Sequence, residues 1–463
     1  GRQGLRSLPP RPANIPLPMS EPWLLANLGI VPFAVLGALA GSAAACIPAL
    51  HIYTLIGGLL FLPTQGVTGE LPGQWLSALT IGLVTGWTIV NAVPAILLSA
   101  PDESALFTVM PGQRFLMDRR GYEAVILTVF GAAGALALVF AGAPFAPRFL
   151  PGVHQVLSPH YHWIIWTVMA FMIMSEWPQG RTAVMSPWDR FTSGMANTFA
   201  GLATFLLAGL LGFILLYRPP LPVESAFQNL TPAFAGLFAL PWLILNLVSR
   251  IPIPPQQTTR SVRLGGGELL RGIAGGTLGG AFAAFVPVVS GGIGGMLAGH
   301  ATSLREERTF LVAQGASKAV YYVGGLLLLF VPGLQVARGA GASMLRGLYT
   351  PTLDEYWPAV AAAALATSTT LLVLPFFARL TLRIMERTGY RAVSWCSLAL
   401  IVLLVFGVTG LPGLAVLFVA TGIGLIPVLF GSRRMNCLGV ILLPLACNFS
   451  GIGPDIARFL GLL

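Results

Sequence analysis

Charge is what this sequence has least of. Only 9% of its 463 residues are Asp, Glu, Lys or Arg, against about 25% in a soluble domain. A surface built from the remainder could not be covered with enough polar groups to face water. Lysine is almost missing: Lys318 stands alone, and arginine supplies every other basic side chain. Cysteine is confined to Cys46, Cys396, Cys437 and Cys447, all in apolar runs, with no C-x-x-C pair and no histidine pair nearby. That pattern argues against a thiolate metal site and reads as small buried hydrophobes. The sequence holds no P-loop, which argues against ATP hydrolysis in this chain. It holds no basic run interleaved with aromatics, which argues against nucleic-acid binding. The acidic residues fall mostly in polar loops. No spaced carboxylate pair marks an apolar stretch, which argues against a proton pump or a membrane hydrolase. No catalytic residue, metal ligand or cofactor is therefore expected, and the chain does not read as an enzyme.

What is present points to a bilayer. Hydrophobic residues make up 55% of the chain, and the mean hydropathy is +0.80. The 55 glycines and 36 prolines are many for a helical protein, but membrane helices use them for kinks, breaks and close contacts. Long apolar stretches lie near 24–47, 75–100, 122–144, 161–176, 194–217, 230–249, 268–288, 309–332, 357–378, 393–409 and 411–430. They predict an all-α polytopic membrane protein with about 10–12 transmembrane helices. Shorter apolar pieces at 52–63, 291–299 and 437–447 suit re-entrant arms. The localisation expected is a bacterial or archaeal cytoplasmic (inner) membrane, in contact with membrane lipids.

The formal net charge of +10 is read as an orientation signal, because cytoplasmic loops collect Lys and Arg. Loop 250–263 (Arg250, Arg260, Arg263), loop 379–391 (Arg379, Arg383, Arg387, Arg391) and the 431–434 turn (Arg433, Arg434) are expected inside, and loop 64–74 with Glu70 outside. Residues 1–22 are polar and proline-rich without a cleavable-signal pattern, and are expected to form a flexible cytoplasmic arm. The expected organisation is this arm, a first membrane half at 23–249, a basic linker at 250–265 and a second half at 266–463.

The halves look duplicated. The run G-A-L-A-G-S-A-A-A-C-I-P-A-L-H from Gly37 matches G-T-L-G-G-A-F-A-A-F-V-P-V-V-S from Gly276 at one constant offset, so that Pro48 pairs with Pro287. Glu103 to Gly112 resembles Glu306 to Gly315, and Gly236 to Pro241 resembles Gly422 to Pro427. Each half would then carry a proline-broken re-entrant hairpin. Its G-x-x-x-G spacing permits close helix approach, and its proline removes a donor and stops the helix.

Polar or conformationally free residues follow each proline: His51, Tyr53 and Thr54 in the first copy, Ser290, Gly291 and Gly292 in the second. Broken helices at membrane depth present helix N-termini that suit an anion, so a substrate site between the two tips, Pro48 and Pro287 included, is one reading. Two ordinary proline kinks are the other. Lys318 at the start of an apolar stretch is either a ligand for an anion or a snorkelling anchor. Asn91, midway along 75–100, either lines a cavity or holds two helices together. His154, His160 and His162 beside Trp163 read as an interfacial belt.

These residues resemble a family. Pro48-Ala49-Leu50-His51-Ile52-Tyr53-Thr54, then Pro94 to Glu103 and Met110-Pro111-Gly112-Gln113-Arg114, then Gly236-Leu237-Phe238 with Pro241, and the tail with Gly431, Arg433, Arg434 and Leu443-Pro444 are similar to the large permease subunit of the tripartite tricarboxylate transporters, especially the branch first noted in archaea. The resemblance spans nearly the whole chain. It implies a secondary permease for small organic anions that works with a small membrane subunit and a periplasmic binding protein, as part of a homo- or hetero-oligomer. The chain departs from the family at Ala49 and Val288, where glycine is usual, and at Tyr53, where asparagine is usual. The segment Pro287-Val288-Val289-Ser290-Gly291-Gly292 also resembles, over these few residues, the tip of the polyprenyl-phosphate translocases. The readings left open are thus a carboxylate-class permease, a translocase for polyprenyl phosphate or another anionic lipid, and a non-transporting accessory subunit.

Overall fold

The computed structural model describes residues 28–48, 50–64, 72–100, 102–177, 186–220, 230–249, 254–258, 262, 264–301 and 306–463. Helices and their connections account for all of these, with no strand among them. The N-terminal arm, the loop around Glu70, the arginines of loop 250–263 and Ala49 lie outside the described residues.

In the first half, α1 (Ile30–Ala45) stops short of Pro48 and α2 (Ile52–Thr64) starts after His51. α3 (Gly73–Val90) and α4 (Ala92–Leu97) meet at Asn91. A turn at 98–105 leads into α5 (Leu106–Met117), followed by α6 (Gly121–Gly142), α7 (Ala146–Leu157), α8 (Tyr161–Met174) and α9 (Pro187–Tyr217). α10 (Leu230–Val248) carries a π-helical turn at Ala235–Ala239. In the second half, α11 (Gly266–Phe285) and α12 (Gly291–Ala301) flank Pro287, and α13 (Glu307–Ala319) runs into another π-helical turn at Val320–Gly324. α14 (Gly339–Leu348), α15 (Tyr356–Thr388), α16 (Tyr390–Phe430), α17 (Gly439–Phe449) and α18 (Gly453–Phe459) complete the chain.

Among the described residues six helices are long and apolar enough to cross a membrane, seven if the pair 434–449 and 453–459, bent by 115°, is one span. Leu372, Phe376, Leu403 and Phe418 lie bare on α15 and α16, as lipid-facing side chains do. Protein of this kind is an integral membrane protein.

Two sequence expectations change here. The polar stretch 379–391 is not a loop: α15 continues through Arg379, Arg383 and Arg387 to Thr388, and Gly389 at φ +76° makes the turn. Arg, Leu and Met are good helix formers, and cations near a helix C-terminus suit its dipole. The apolar stretch at 309–332 is not one regular span either, because the π-helical turn interrupts it. The stretches 393–409 and 411–430 do part where expected, at Gly410 (φ 64°, ψ −159°) ahead of Pro412.

Small residues hold the interior together. A Cβ on Gly37 or Gly41 would lie 2.2 Å from the carbonyl oxygen of Leu79 or Leu83, so α1 and α3 touch backbone to backbone. The second half repeats this contact. Gly276 and Gly280 lie against the carbonyls of Ala313 and Ser317 on α13. The sequence match pairs 306–315 with 103–112, whereas the packing makes α13 the counterpart of α3. Within the second hairpin, Gly279 of α11 and Gly294 of α12 also meet backbone to backbone. Val288, at the second tip, takes φ +57°, a conformation that strains a β-branched residue and suits glycine.

Replacing Gly41 with Leu is expected to abolish a monodisperse peak in size-exclusion chromatography, since the new side chain starts inside the Leu83 carbonyl; Gly142→Ala, with open space around it, is expected to elute as wild type. Val288→Gly is expected to leave the melting temperature unchanged or raise it, because relief of about 1 kcal/mol or more of left-handed strain offsets the lost half-buried side chain.

Candidate functional site

Both hairpin tips end in a side-chain cap. His51 Nδ1 accepts the Tyr53 N–H at 3.2 Å, two residues into α2. Ser290, which the repeat pairs with His51, accepts the Ile293 N–H at 3.4 Å, in the first turn of α12. Side-chain acceptors at this position satisfy an orphan donor of the helix start. The caps are different in chemistry, since only the imidazole can change its charge.

A charged network fills the space around the tips. α3 ends at Asn91, and after the short α4 the chain turns through Asp102, Glu103 and Ser104, all buried. The His51 Nε2 and Glu103 Oε2 atoms are 2.6 Å apart. Because Nδ1 accepts from a backbone N–H, which can only donate, the neutral ring carries its proton on Nε2 and donates it to Glu103. The Tyr322 hydroxyl lies 2.7 Å from Glu103 Oε1 and 3.2 Å from Asp102 Oδ2, and Ser104 Oγ donates to it at 2.9 Å. Lys318 Nζ donates to Asp102 Oδ1 at 3.0 Å and to the Asn91 side-chain oxygen. It also sits 4.8 Å from the Trp87 ring centre.

The surrounding helices hold these groups in place. Trp87 Nε1 donates to the Leu50 carbonyl at 3.0 Å. The His51 ring stacks on Phe234 with centroids 5.6 Å apart and 11° between planes. The second tip joins through α13: Ser317 Oγ donates to the Gly291 carbonyl at 2.6 Å. Gly292 lies so close to the turn that a Cβ would be 2.7 Å from the Ser104 carbonyl oxygen. Phe234 precedes one π-helical turn and Tyr322 lies within the other. Such turns are frequent where a helix lines a functional site.

Three cavities border this network, one of them an apolar pocket that His51 lines with Pro48. One, about 310 Å³ of empty space, is lined by His51, Asn91, Asp102, Glu103, Phe234 and Phe238. Another, about 300 Å³, touches the network at Tyr53 and Tyr322 and includes Arg338. Each leaves room for a water-sized molecule as the side chains stand. One ligand atom each from His51, Asp102 and Glu103 lies within 4.8 Å of the others. The carboxylate oxygens of both acids already have partners, so a metal ion would have to open the His51–Glu103 bond to enter.

The structure thus brings His51, Asn91 and Lys318 into one cluster, with Ser290, Gly291 and Gly292 against its far side. Lys318 does not snorkel: its side chain is buried and paired. Thr54 pairs with the Thr231 hydroxyl at 3.2 Å, beside the cluster. Pro48 lines an apolar pocket with His51, Thr54 and Leu404, and Pro287 lies two residues beyond the end of α11. The sequence reading missed Asp102 and Glu103, which sit in a turn as expected of acidic residues but a buried one. Two acids directly after the apolar run Pro94–Pro101 were the available signal. Trp87 and Tyr322 carried none. His154 lies 3.4 Å from Arg338, which packs on Tyr161.

A relative from Methanocaldococcus jannaschii, described as uncharacterized protein MJ1079, is 22% identical over 429 residues, which is 90% of this chain and 98% of that protein. No solved structure matches. The family model described as the tripartite tricarboxylate transporter TctA family matches residues 31–439, and the chain, an integral membrane permease with its buried cluster inside that range, belongs to that family.

Proposed function

We propose that the protein is a secondary permease for a small organic anion of the carboxylate class, and that the substrate enters the cluster between the two hairpin tips. The observation that carries this reading is the buried Lys318. A lysine held inside a membrane protein is costly and functional by default. This one is held by a carboxylate and an amide oxygen at the junction of the two halves, beside cavities that meet the cluster from separate sides. A carboxylate ligand would take over from Asp102 as the partner of Lys318.

A duplicated build is part of this proposal. Equivalent glycine pairs pack on α3 and α13, and equivalent residues cap α2 and α12. Transporters built from repeats bind substrate at the repeat interface, near broken helices. A charged network is also an expensive way to fill the centre of an accessory subunit, where packed hydrophobic residues would be as stable or more so. Membership of a tripartite family adds a small membrane subunit and a periplasmic binding protein to the proposal.

Lys318→Met leaves Asp102 buried without its cation and is expected to lower unfolding stability by about 3–5 kcal/mol. Adding Asp102→Asn is expected to recover most of that loss, as read by denaturant unfolding in micelles. The recovered double variant then tests binding. Wild-type protein is expected to gain thermal stability with at least one of citrate, succinate or another small carboxylate at millimolar concentration, and the double variant to give no response. An equal response from both would remove Lys318 from the site.

A further inference from the structure

The charges of the cluster do not sum to zero. Lys318 contributes one positive charge, and Asp102 and Glu103 one negative charge each. A neutral His51 contributes none, and its Nδ1 is then the acceptor of the Tyr53 N–H. The single hydroxyl proton of Tyr322 faces oxygens of both carboxylates and can be donated to one at a time. An uncompensated negative charge in a low-dielectric interior draws in a cation. The His51–Glu103 distance of 2.6 Å leaves no gap for a metal ion between them, but it suits a charge-assisted hydrogen bond.

We propose that His51 is a proton-binding switch that sets the geometry of the first hairpin tip. One proton from the aqueous phase, arriving by the cavity that His51, Asp102 and Glu103 line, adds to Nδ1. The imidazole becomes an imidazolium paired with the Glu103 carboxylate through Nε2–H, and the cluster becomes neutral. Nδ1 then carries a hydrogen and can no longer accept from Tyr53. The first turn of α2 loses its side-chain cap, and the tip is released from the conformation described above. Loss of the proton restores the cap. Ser290 at the equivalent place in the second half has no such chemistry, so the switch belongs to one hairpin only.

The titratable and charged groups around His51 are known from each packed element. Tyr53 comes from α2, Asp102 and Glu103 from the turn before α5, Lys318 from α13, and Tyr321 and Tyr322 from the π-helical turn that follows it; Arg338 lies across the cavity beyond Tyr53. Trp87 and Phe234 cover the ring. The inference needs no substrate, so it stands or falls separately from the carboxylate reading.

Amide hydrogen exchange of the peptide covering 52–55, in the full chain in micelles, tests it. After correction for the intrinsic pH dependence, wild-type exchange is expected to rise about tenfold or more as pH falls from about 8 to about 5. His51→Asn keeps an acceptor for the Tyr53 N–H but cannot gain a proton, and is expected to stay flat. Glu103→Gln removes the counter-charge of the imidazolium, and is expected to move the midpoint down by about one pH unit, a tenfold weaker proton affinity. A flat wild-type profile, or a His51→Asn profile that follows wild type, overturns the proposal. So does a loss of the acid response when sodium replaces choline at constant ionic strength, which would make the cation a metal ion.

Discussion

The ion pair between Lys318 and Asp102 is the constraint on which the rest of the interior turns. Taking both charges out of water costs several kcal/mol each. Their contact at 3.0 Å offsets that cost only while both stay in register and their remaining hydrogen-bonding positions are filled. Asn91, Trp87, Tyr322 and the Ala105 N–H fill them. These partners come from three pieces of backbone. The break between α3 and α4, the buried turn at 102–104 and the π-helical turn after α13 all present groups to the same ion pair. Irregular backbone inside a membrane protein is tolerable where protein, not lipid, surrounds it.

Seen from this pair, the glycine seams have a clear purpose. Backbone contact between α1 and α3, and between α11 and α13, brings the hairpin tips close enough to the helices that carry Trp87, Asn91, Ser317 and Lys318. With larger residues at Gly41 or Gly280, the axes would move apart and the cluster would open. Packing of small residues stands in for the hydrophobic effect, which gives membrane helices no reason to associate.

Much of this was legible in the residues. Apolar runs marked the helices, the G-x-x-x-G pairs marked the seams, and His51, Asn91 and Lys318 marked the cluster, because a polar side chain in an apolar run needs a partner. The partners themselves were not legible. Asp102 and Glu103 lie in a turn, where acidic residues are commonplace, and only tertiary packing buries them. Trp87 and Tyr322 look like any aromatic residue of a membrane helix until the lysine and the carboxylates arrive beside them. The π-helical turns leave no periodic signature in so short a span. The polar run at 379–391 misled because arginine is both a loop residue and a good helix former.

The meeting of Gly279 with Gly294 makes the two hairpins mechanically unequal. In the second hairpin the arms α11 and α12 are in backbone contact where Gly279 meets Gly294, so neither can take a side chain there without parting the seam. In the first hairpin, Gly57 and Gly58 of α2 face open space or the end of one methionine side chain. The two hairpins therefore hold their shape by different means, one by backbone against backbone and the other by the buried side chains of Ile52 and Ile56, and the histidine sits on the second kind.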